Sequence, residues 1–172
     1  PSGEIRRKYG YDDSSRLTRA EGARGHAVTY AYDNLDRRTQ ATYPDDTTIT
    51  YSYDAVGNLV RHVDPAGSTF DIGYDAAHRP IRMDIVPALG LEGTTLQTFE
   101  YDGRHRVTRA TDNNVPSNPE DDSEVSFHYD LLGRLVEEQQ RLPGVAASQP
   151  VDFGYLADDL VSQLILPSGR QI

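Results

Sequence analysis

Acidic and basic side chains that could do chemistry occur in this sequence as a recurring pair. An Asp is followed four residues later by an Arg at five places: Asp12/Arg16, Asp33/Arg37, Asp75/Arg79, Asp102/Arg106 and Asp130/Arg134. A carboxylate beside a guanidinium could act in a charge relay. The simpler interpretation is an ion pair across a turn, which contributes about 0 to 1 kcal/mol when it is exposed. Because the pair recurs, we assign it to the architecture.

Metal and cofactor chemistry find no support in the pattern. The acidic segment from Asp112 to Asp122 could offer oxygen ligands to calcium, but it lacks the spacing of an EF-hand or of a Gly-rich calcium repeat, so we predict a solvated loop. A glycosidase or protease would need a non-repeating pair of carboxylates in a cleft. We therefore predict no catalytic, cofactor-binding or metal-binding residue, no cofactor and no enzymatic activity. The His residues also lack metal-ligand spacing; they are His26, His62, His78, His105 and His128.

Composition limits the partners of the chain. The formal net charge of its 172 residues is −10, from 17 Lys and Arg against 27 Asp and Glu. A polyanion would be repelled at long range, so nucleic acid and anionic membranes are disfavoured as partners. The sequence has no Cys and no apolar run of the roughly 20 residues that a membrane helix requires.

The element that carries these residues is a tandem repeat anchored on Tyr-Asp. The first three intervals, from 11 to 32, from 32 to 53 and from 53 to 74, are each 21 residues, and later intervals are longer because of insertions. Such self-similarity at a fixed period indicates a repeat architecture. We predict a single repeat region over residues 1–172, with seven anchors of which the last is degenerate: Tyr11, Tyr32, Tyr53, Tyr74, Tyr101, Tyr129 and Tyr155.

A second large side chain stands two residues before each anchor. Residues i and i+2 of a strand project from the same face, so the pair Tyr30 and Tyr32, like Tyr51 and Tyr53, should lie on one side of a sheet. We expect these rings to stack on the equivalent rings of neighbouring repeats. The aromatic ladder could also stack on sugars, but its presence in every repeat favours packing. The residues concerned are Tyr9, Tyr30, Tyr51, Ile72, Phe99, Phe127 and Phe153.

Turn residues follow each anchor. Asp suits the first position of a type I turn, and Gly57 and Gly133 suit the positive-φ position that completes a bulged hairpin. Asp and His also tolerate positive φ, whereas Ser15 fits this position poorly. The equivalent residues in the other repeats are Ser15, Asp36, His78, His105 and Asp159.

A second strand and a second turn complete each repeat. These turns are marked by Pro and often Gly, at Tyr43–Asp46, Asp64–Gly67, Leu142–Gly144 and Leu166–Gly169. The polar segment 112–122 and the turn-rich segments 87–93 and 143–150, all of which contain Pro, should extend hairpin tips as loops. The pattern therefore predicts an all-β fold, in which tandem β-hairpin repeats form an extended, curved antiparallel sheet.

The unit aromatic-x-Tyr-Asp-x-x-Gly-Arg-Leu, followed by a Pro-x-Gly turn, resembles the repeat of Rhs and YD-repeat proteins over nearly the whole chain. The resemblance implies a spiralling sheet that forms a hollow shell. In bacterial members this shell encloses a C-terminal toxic polypeptide, which is delivered by type VI secretion, insecticidal toxin (Tc) complexes or contact-dependent systems. The implied partners are the toxin segment, the rest of the shell and secretion or toxin-complex proteins, and the implied location is secreted or at the cell surface. The alternative is an extracellular adhesion or carbohydrate-binding surface, since the related animal teneurins act in adhesion.

Departures from the family pattern lead to further expectations. We find no toxin domain and no plug, and Asp64-Pro65-Ala66-Gly67 matches the element near the family's self-cleavage site but falls where an inter-repeat turn is due. The turn-like Pro1-Ser2-Gly3 resembles Pro167-Ser168-Gly169, so both termini fall at the same point of the repeat. We therefore expect a fragment of a longer array whose exposed sheet edges recruit other strands.

Overall fold

The computed structural model describes residues 7–114, 118, 121–145 and 149–172. The predicted turn at 1–3 lies outside these residues, as do 115–117 and 119–120 of the acidic loop and 146–148 of the last loop. All statements below concern the described part of the chain.

The fold consists of fourteen strands, and the prediction of an all-β fold is confirmed. They form one open antiparallel sheet in which the order of the strands follows the chain. Consecutive hairpins, as predicted from the two turns of each repeat, are therefore the building principle. The strands are β1 (Lys8–Tyr11), β2 (Leu17–Glu21), β3 (Ala27–Tyr32), β4 (Arg38–Thr42), β5 (Thr48–Tyr53), β6 (Leu59–Val63), β7 (Thr69–Tyr74), β8 (Pro80–Val86), β9 (Leu96–Tyr101), β10 (Val107–Asn113), β11 (Ser123–Tyr129), β12 (Leu135–Arg141), β13 (Gln149–Tyr155) and β14 (Val161–Ile165).

The chain divides into two compact units. The first consists of Pro1–Ile72 and Val86–Leu91, and the second of Gly73–Ile85 and Glu92–Ile172. Within the first unit, the amide of Ala88 donates to the hydroxyl of Ser68 at 3.2 Å, which ties the segment after β8 to the turn before β7. The anchors of the first three repeats lie in the first unit, and those of the last four lie in the second.

The Tyr-Asp turns share one main-chain geometry. In the turn Asp54–Asn58, the amide of Asp54 donates to the oxygen of Asn58 (2.9 Å), and the amide of Gly57 donates to the oxygen of Asp54 (3.2 Å). The fourth residue of each turn has positive φ, as predicted: Gly57 (100°), Gly133 (95°), Asp36 (62°), His78 (60°), His105 (65°) and Asp159 (65°). Ser15 adopts the same conformation (63°), so the turn geometry overrides the poor fit of its side chain.

The inter-repeat turns at the other end of the strands repeat this geometry. Tyr43 donates to the oxygen of Thr47, Asp64 to that of Ser68 and Leu166 to that of Arg170, at 2.9 to 3.0 Å. Asp64–Gly67 is therefore an ordinary turn, as interpreted from the sequence. The longer connections, between β8 and β9, between β10 and β11 and between β12 and β13, all start and end at this second end of the strands, whereas each Tyr-Asp turn keeps its five residues.

The two faces of the sheet differ in chemistry. In β3, Tyr30 and Tyr32 are half-buried while Ala31 between them is exposed, so the predicted pairing of both rings on one face is confirmed. We call this side the aromatic face; it also carries Val28 and the rings of the other repeats. The opposite side, the polar face, carries residues such as Thr29 and Gln40, which pair across neighbouring strands with Thr42 and Thr50.

The core is thin because the sheet is a single layer. Among the described residues, Ala41 on the aromatic face is the buried apolar side chain (4% exposed) and Ser68 the buried polar one (6%). Large apolar side chains at the turns, such as Leu35 and Leu131, are exposed. Contacts between adjacent repeats, and not a deep core, must therefore supply much of the specific packing.

Candidate functional site

The Asp of each Tyr-Asp turn caps its own hairpin. In the second repeat, Oδ1 of Asp33 accepts hydrogen bonds from the amides of Leu35 (2.9 Å) and Arg37 (3.0 Å). Oδ2 of Asp33 accepts a hydrogen bond from Nε of Arg37 at 2.7 Å. Asp is suited to this position because its short side chain can satisfy amides that the tight turn leaves unpaired. The predicted ion pair across the turn is thus confirmed, with the carboxylate also holding the main chain.

The Arg of each pair reaches beyond its own turn into the next repeat. The guanidinium carbon of Arg37 lies 4.8 Å from the centroid of the Tyr53 ring. Its Nη1 donates to the main-chain oxygen of Asp54 at 3.0 Å. The guanidinium can make these contacts together because it is planar, stacks on aromatic faces and presents several donors in fixed directions.

The Tyr makes the return contact to the preceding repeat. The hydroxyl of Tyr53 donates to the main-chain oxygen of Arg38 at 2.9 Å. The residues Asp33, Arg37, Tyr53 and Asp54 therefore form a closed set of contacts across two consecutive repeats, which we call the inter-repeat clamp.

The clamp recurs in both units. The guanidinium-to-ring distances are 5.1 Å for Arg16 and Tyr32, 4.6 Å for Arg79 and Tyr101, 4.1 Å for Arg106 and Tyr129, and 4.7 Å for Arg134 and Tyr155. The hydroxyl-to-carbonyl distances are 2.7 Å for Tyr32 and Leu17, 2.8 Å for Tyr101 and Pro80, 2.9 Å for Tyr129 and Val107, and 2.7 Å for Tyr155 and Leu135. Because similar distances recur at all five joints, the clamp is a regular feature of the repeat array.

Some copies strengthen the clamp and one replaces its Arg. Nη1 of Arg16 also pairs with the carboxylate of Asp36 (2.8 Å), the positive-φ residue of the next turn. In the Arg106 copy, Nη1 of Arg106 is buried without a hydrogen-bond partner, and Nη1 of Arg104 donates to the main-chain oxygen of Leu131 (3.1 Å) instead. In the third repeat the Arg position is Asn58, whose Nδ2 donates to Oδ2 of Asp54 at 2.7 Å. The cap of the turn thus survives where the guanidinium is absent.

Hydrogen bonds keep the turn carboxylates ionised. The side chain of Arg106 is the largest cause that lowers the pKa of Asp102, to about 2, against the opposing effect of desolvation. Desolvation is the largest single influence on Asp33 and raises its pKa, but the amide and side chain of Arg37 together outweigh it, so the net pKa is lowered. A depressed pKa suits a permanent anion and opposes a role in proton transfer at neutral pH.

One expectation about the aromatic ladder is wrong. The rings of consecutive repeats were expected to stack on each other, whereas guanidinium groups lie over them: Arg37 over Tyr53 and Arg38 over Tyr30 (4.4 Å). Within the described ranges, a parallel stacked pair of rings is formed by His62 and Phe70, with centroids 4.2 Å apart. The sequence signal for the Arg contacts was present in the five Asp/Arg pairs, but it was interpreted only within one turn.

The polar face is held by ion pairs of exposed and half-exposed side chains. Arg109 contacts both Glu100 (3.2 Å) and Glu124 (2.7 Å), which bridges three strands. Such pairs contribute little each because water screens them. The others on this face are Lys8–Glu21, Arg19–Glu21, Arg61–Asp71 and Arg82–Asp84.

The remaining candidates for chemistry are scattered. His78 and His105 occupy turn positions, His26 ends another turn, and His62 stacks on Phe70. In the part of the chain that the structure describes, no three His, Cys, Asp or Glu side chains are arranged to hold a metal ion. A shallow groove of about 330 Å³ lies on the first unit, beside two inter-repeat turns; Arg19, His26, Thr29, Thr42, Tyr43 and Asp46 are among its lining residues.

No helix in the described ranges has the length and apolar character to cross a membrane. A comparison of the sequence with curated proteins gives no significant match.

Solved structures with the same fold come from Tc toxins. The chain superposes on the TcdB2-TccC3-TEV crystal structure with a TM-score of 0.64 and 13% identity, covering 98% of this chain and 10% of that one. TcdB2-TccC3 without its hypervariable C-terminal region gives 0.57 and 14%, with coverage of 92% and 10%. A Tc holotoxin pore from Photorhabdus luminescens with a mutated TccC3 gives 0.57 and 12%, with coverage of 96% and 12%. The chain thus spans about a tenth of the length of these proteins.

The family assignment comes from the sequence itself. Residues 1–140 match the family model described as the teneurin YD-shell, which is well over half of the chain. The matched region contains the first six Tyr-Asp anchors and four of the five clamps in which an Arg covers a Tyr ring. The chain belongs to the YD-shell family.

Proposed function

We propose that this chain is a wall segment of a YD-repeat shell of the Rhs type, which encloses a C-terminal toxic polypeptide and helps to deliver it. One observation carries the proposal: the groups that could do chemistry, the repeated Asp, Arg and Tyr, are used to join one repeat to the next. A wall built from similar joints can extend over many repeats, because each repeat needs only its neighbours.

The solved structures support the part of the proposal that concerns a toxin. They are TcdB2-TccC3 assemblies and a Tc holotoxin pore, and one of them is described as lacking a hypervariable C-terminal region. The proposed partners are the rest of the shell, the C-terminal toxin segment and toxin-complex or secretion proteins. We accordingly propose a secreted or cell-surface location, with a Tc complex or type VI secretion as the delivery route.

An adhesion or carbohydrate-binding surface is less well supported. Sugars stack on free aromatic faces, whereas guanidinium groups lie over the rings of Tyr30, Tyr32 and Tyr53. We also propose that the chain has no enzymatic activity, since hydrogen bonds within the Tyr-Asp turns lower the pKa of the Asp in each of these turns. Reproducible hydrolase or transferase turnover that disappears on changing one Asp or His, with folding intact, would overturn this part.

Protease protection tests the enclosure. The complete reading frame that contains this chain is expressed, and the polypeptide following the repeats is followed by immunoblot during limited proteolysis. We expect that polypeptide to survive in the wild type and to be degraded in the double variant Arg37→Asn/Arg134→Asn, which removes two clamps. The control is Arg61→Asn, which removes an exposed ion pair of the polar face and should leave protection unchanged. Equal degradation in all three proteins would show that the segment does not enclose the polypeptide.

A further inference from the structure

A carboxylate oxygen without a partner lies inside β10. Asp112 is half-buried, and its Oδ1 atom is buried with no hydrogen-bond partner among the described residues. The equivalent residue after β6 is Asp64, whose Oδ1 caps a turn by accepting bonds from the amides of Ala66 (2.9 Å) and Ser68 (2.8 Å). β10 has seven residues whereas β6 has five, so Asp112 lies within the strand, where it caps no turn. A buried carboxylate oxygen without a donor is costly and calls for a ligand.

The register of the strands places this carboxylate at one end of a small groove on the aromatic face. The groove has a volume of about 130 Å³ and lies within the second unit. Side chains directly opposite each other on neighbouring strands have Cβ atoms about 4.5 to 5.5 Å apart, so the lining forms two adjacent rows. The small Ala110 leaves room between its larger neighbours. The polar row is Gln97, Asp112 and Ser123, and the apolar row is Phe99, Ala110 and Val125.

The size and polarity of the groove match one Lys side chain. Its volume of about 130 Å³ is well below the roughly 300 Å³ at which pockets for drug-sized ligands begin. The apolar row can cover the methylene stem of Lys, while the three donors of its ammonium reach Asp112, Gln97 and Ser123. A guanidinium carries five donors in a rigid plane, more than these three side chains match at once. In the described ranges, no three His, Cys, Asp or Glu side chains are grouped to hold a metal ion, so an organic cation is the better match.

We propose that this groove binds a Lys side chain of the polypeptide that the shell encloses, with Asp112 as its counter-ion. The occupant comes from outside this sequence, because Lys8 is its single Lys and pairs with Glu21 in the first unit. A wall segment joins the rest of its shell along the strand order and at the turns, and it presents its faces to whatever lies beside the wall. A groove on a face is therefore open to the enclosed polypeptide. The choice of this partner rests on the proposed function.

NMR titration with short peptides tests the chemistry of the groove. The probe is a blocked pentapeptide with Lys between two pairs of Gly. In the control peptides, norleucine keeps the stem without the charge, diaminopropionic acid keeps the charge on a short stem, and Arg replaces the ammonium by a guanidinium. We expect the Lys peptide to shift the amide resonances of residues 97–99, 110–112 and 123–125. The norleucine and diaminopropionic acid peptides should bind about tenfold more weakly, because each loses either the charge-assisted hydrogen bonds or the apolar contact. An Arg peptide that bound as tightly as the Lys peptide would contradict the choice of Lys.

Variants of the chain locate the site. Asp112→Asn keeps the shape of the side chain and removes its charge, and Ala110→Leu fills the space in the apolar row. We expect each variant to weaken binding of the Lys peptide by about tenfold, with the strands retained by circular dichroism. The control is Asp71→Asn, which removes an exposed carboxylate of the polar face and should leave binding unchanged. Equal binding of the Lys and norleucine peptides, or of the wild type and Asp112→Asn, would overturn the proposal.

Carbodiimide crosslinking in the complete protein identifies the partner. The reagent activates a carboxylate, which forms an amide with a Lys amine in direct contact while the reagent takes up the water that is lost. By mass spectrometry of the digested product, we expect an amide between Asp112 and a Lys of the C-terminal polypeptide, absent from Asp112→Asn. A crosslink to another shell segment, or none, would overturn the choice of partner. Peptide binding without protease protection would refute the enclosure and this partner with it, whereas protection without the crosslink would refute this partner alone, so the two failures are distinguishable.

Discussion

Arg37 and Tyr53 belong to consecutive repeats, yet the guanidinium of Arg37 lies 4.8 Å from the centroid of the Tyr53 ring while its Nε holds Asp33 at 2.7 Å. The Arg37 side chain therefore binds the Asp that caps its own turn and also stacks on a Tyr ring of the next repeat. We predict that Arg37→Lys lowers the melting temperature by a few degrees, since the charge is kept but the guanidinium is lost. Arg61→Lys, on the polar face, is the matched control and should change it by less. Equal shifts would contradict a special role for the clamp.

The hydroxyl of Tyr53 gives a second prediction. Its hydrogen bond to the oxygen of Arg38 is removed by Tyr53→Phe, while the ring under Arg37 remains. We expect the free energy of unfolding to fall by about 1 kcal/mol, the usual net value of one such bond. Urea denaturation measures it. The control is Tyr9→Phe, at a ring that is 54% exposed on the edge strand, where no loss is expected.

Gly57 tests the conformation of the turns. Its φ is 100°, and a Cβ added there would meet nothing within 4 Å, so a substitution changes the backbone energy without a clash. We expect Gly57→Val to be less stable than Gly57→Asn by about 1 kcal/mol, because a β-branched side chain is poorly tolerated at positive φ. Identical melting temperatures for the two variants would show that the turn relaxes.

Ser15 occupies the equivalent position with φ of 63°. Asn tolerates this region better than Ser does, so Ser15→Asn should raise the free energy of unfolding by a few tenths to about 1 kcal/mol. The neighbouring Ser14→Asn is the control, since Ser14 does not have positive φ. A gain of the same size at both positions would point to a cause other than the backbone.

Acid should weaken the clamps. The folded pKa of Asp102 is about 2 because of the side chain of Arg106, whereas an unfolded Asp titrates near roughly 3.9. A carboxylate with a lowered folded pKa stabilises the fold above the unfolded pKa, and this contribution is lost as pH falls through the folded pKa. We therefore expect Asp102→Asn to be less stable than the wild type at pH 7, with the difference shrinking from about pH 5 and lost only below about pH 2. A constant difference across that range in urea unfolding would contradict the assignment.

The local structure could be predicted from the sequence because its causes are local. The phase of the Tyr-Asp anchors and the turn residues set the hairpins, and the positive φ of Asp36 and His78 follows from residue type. The forward contact of Arg37 was missed because it joins residues 17 positions apart (37 and 54). Such a contact depends on the register between repeats, which the spacing of a single turn does not reveal. The stacking of His62 on Phe70 was missed because it depends on the register in which β6 pairs with β7 across an inter-repeat turn.

Length variation is confined to one end of the strands. The Tyr-Asp turns all have five residues, while the connections between β8 and β9, β10 and β11, and β12 and β13 at the opposite end are longer. Arg79 and Tyr101 keep their contact across such a loop, at 4.6 Å. For protein engineering, this points to the connections that already vary in length: we expect epitopes, tags or reporter peptides grafted between β8 and β9, or between β12 and β13, to leave the clamps unaltered. The same graft between Asp54 and Asn58 would break the hairpin that the array is built on.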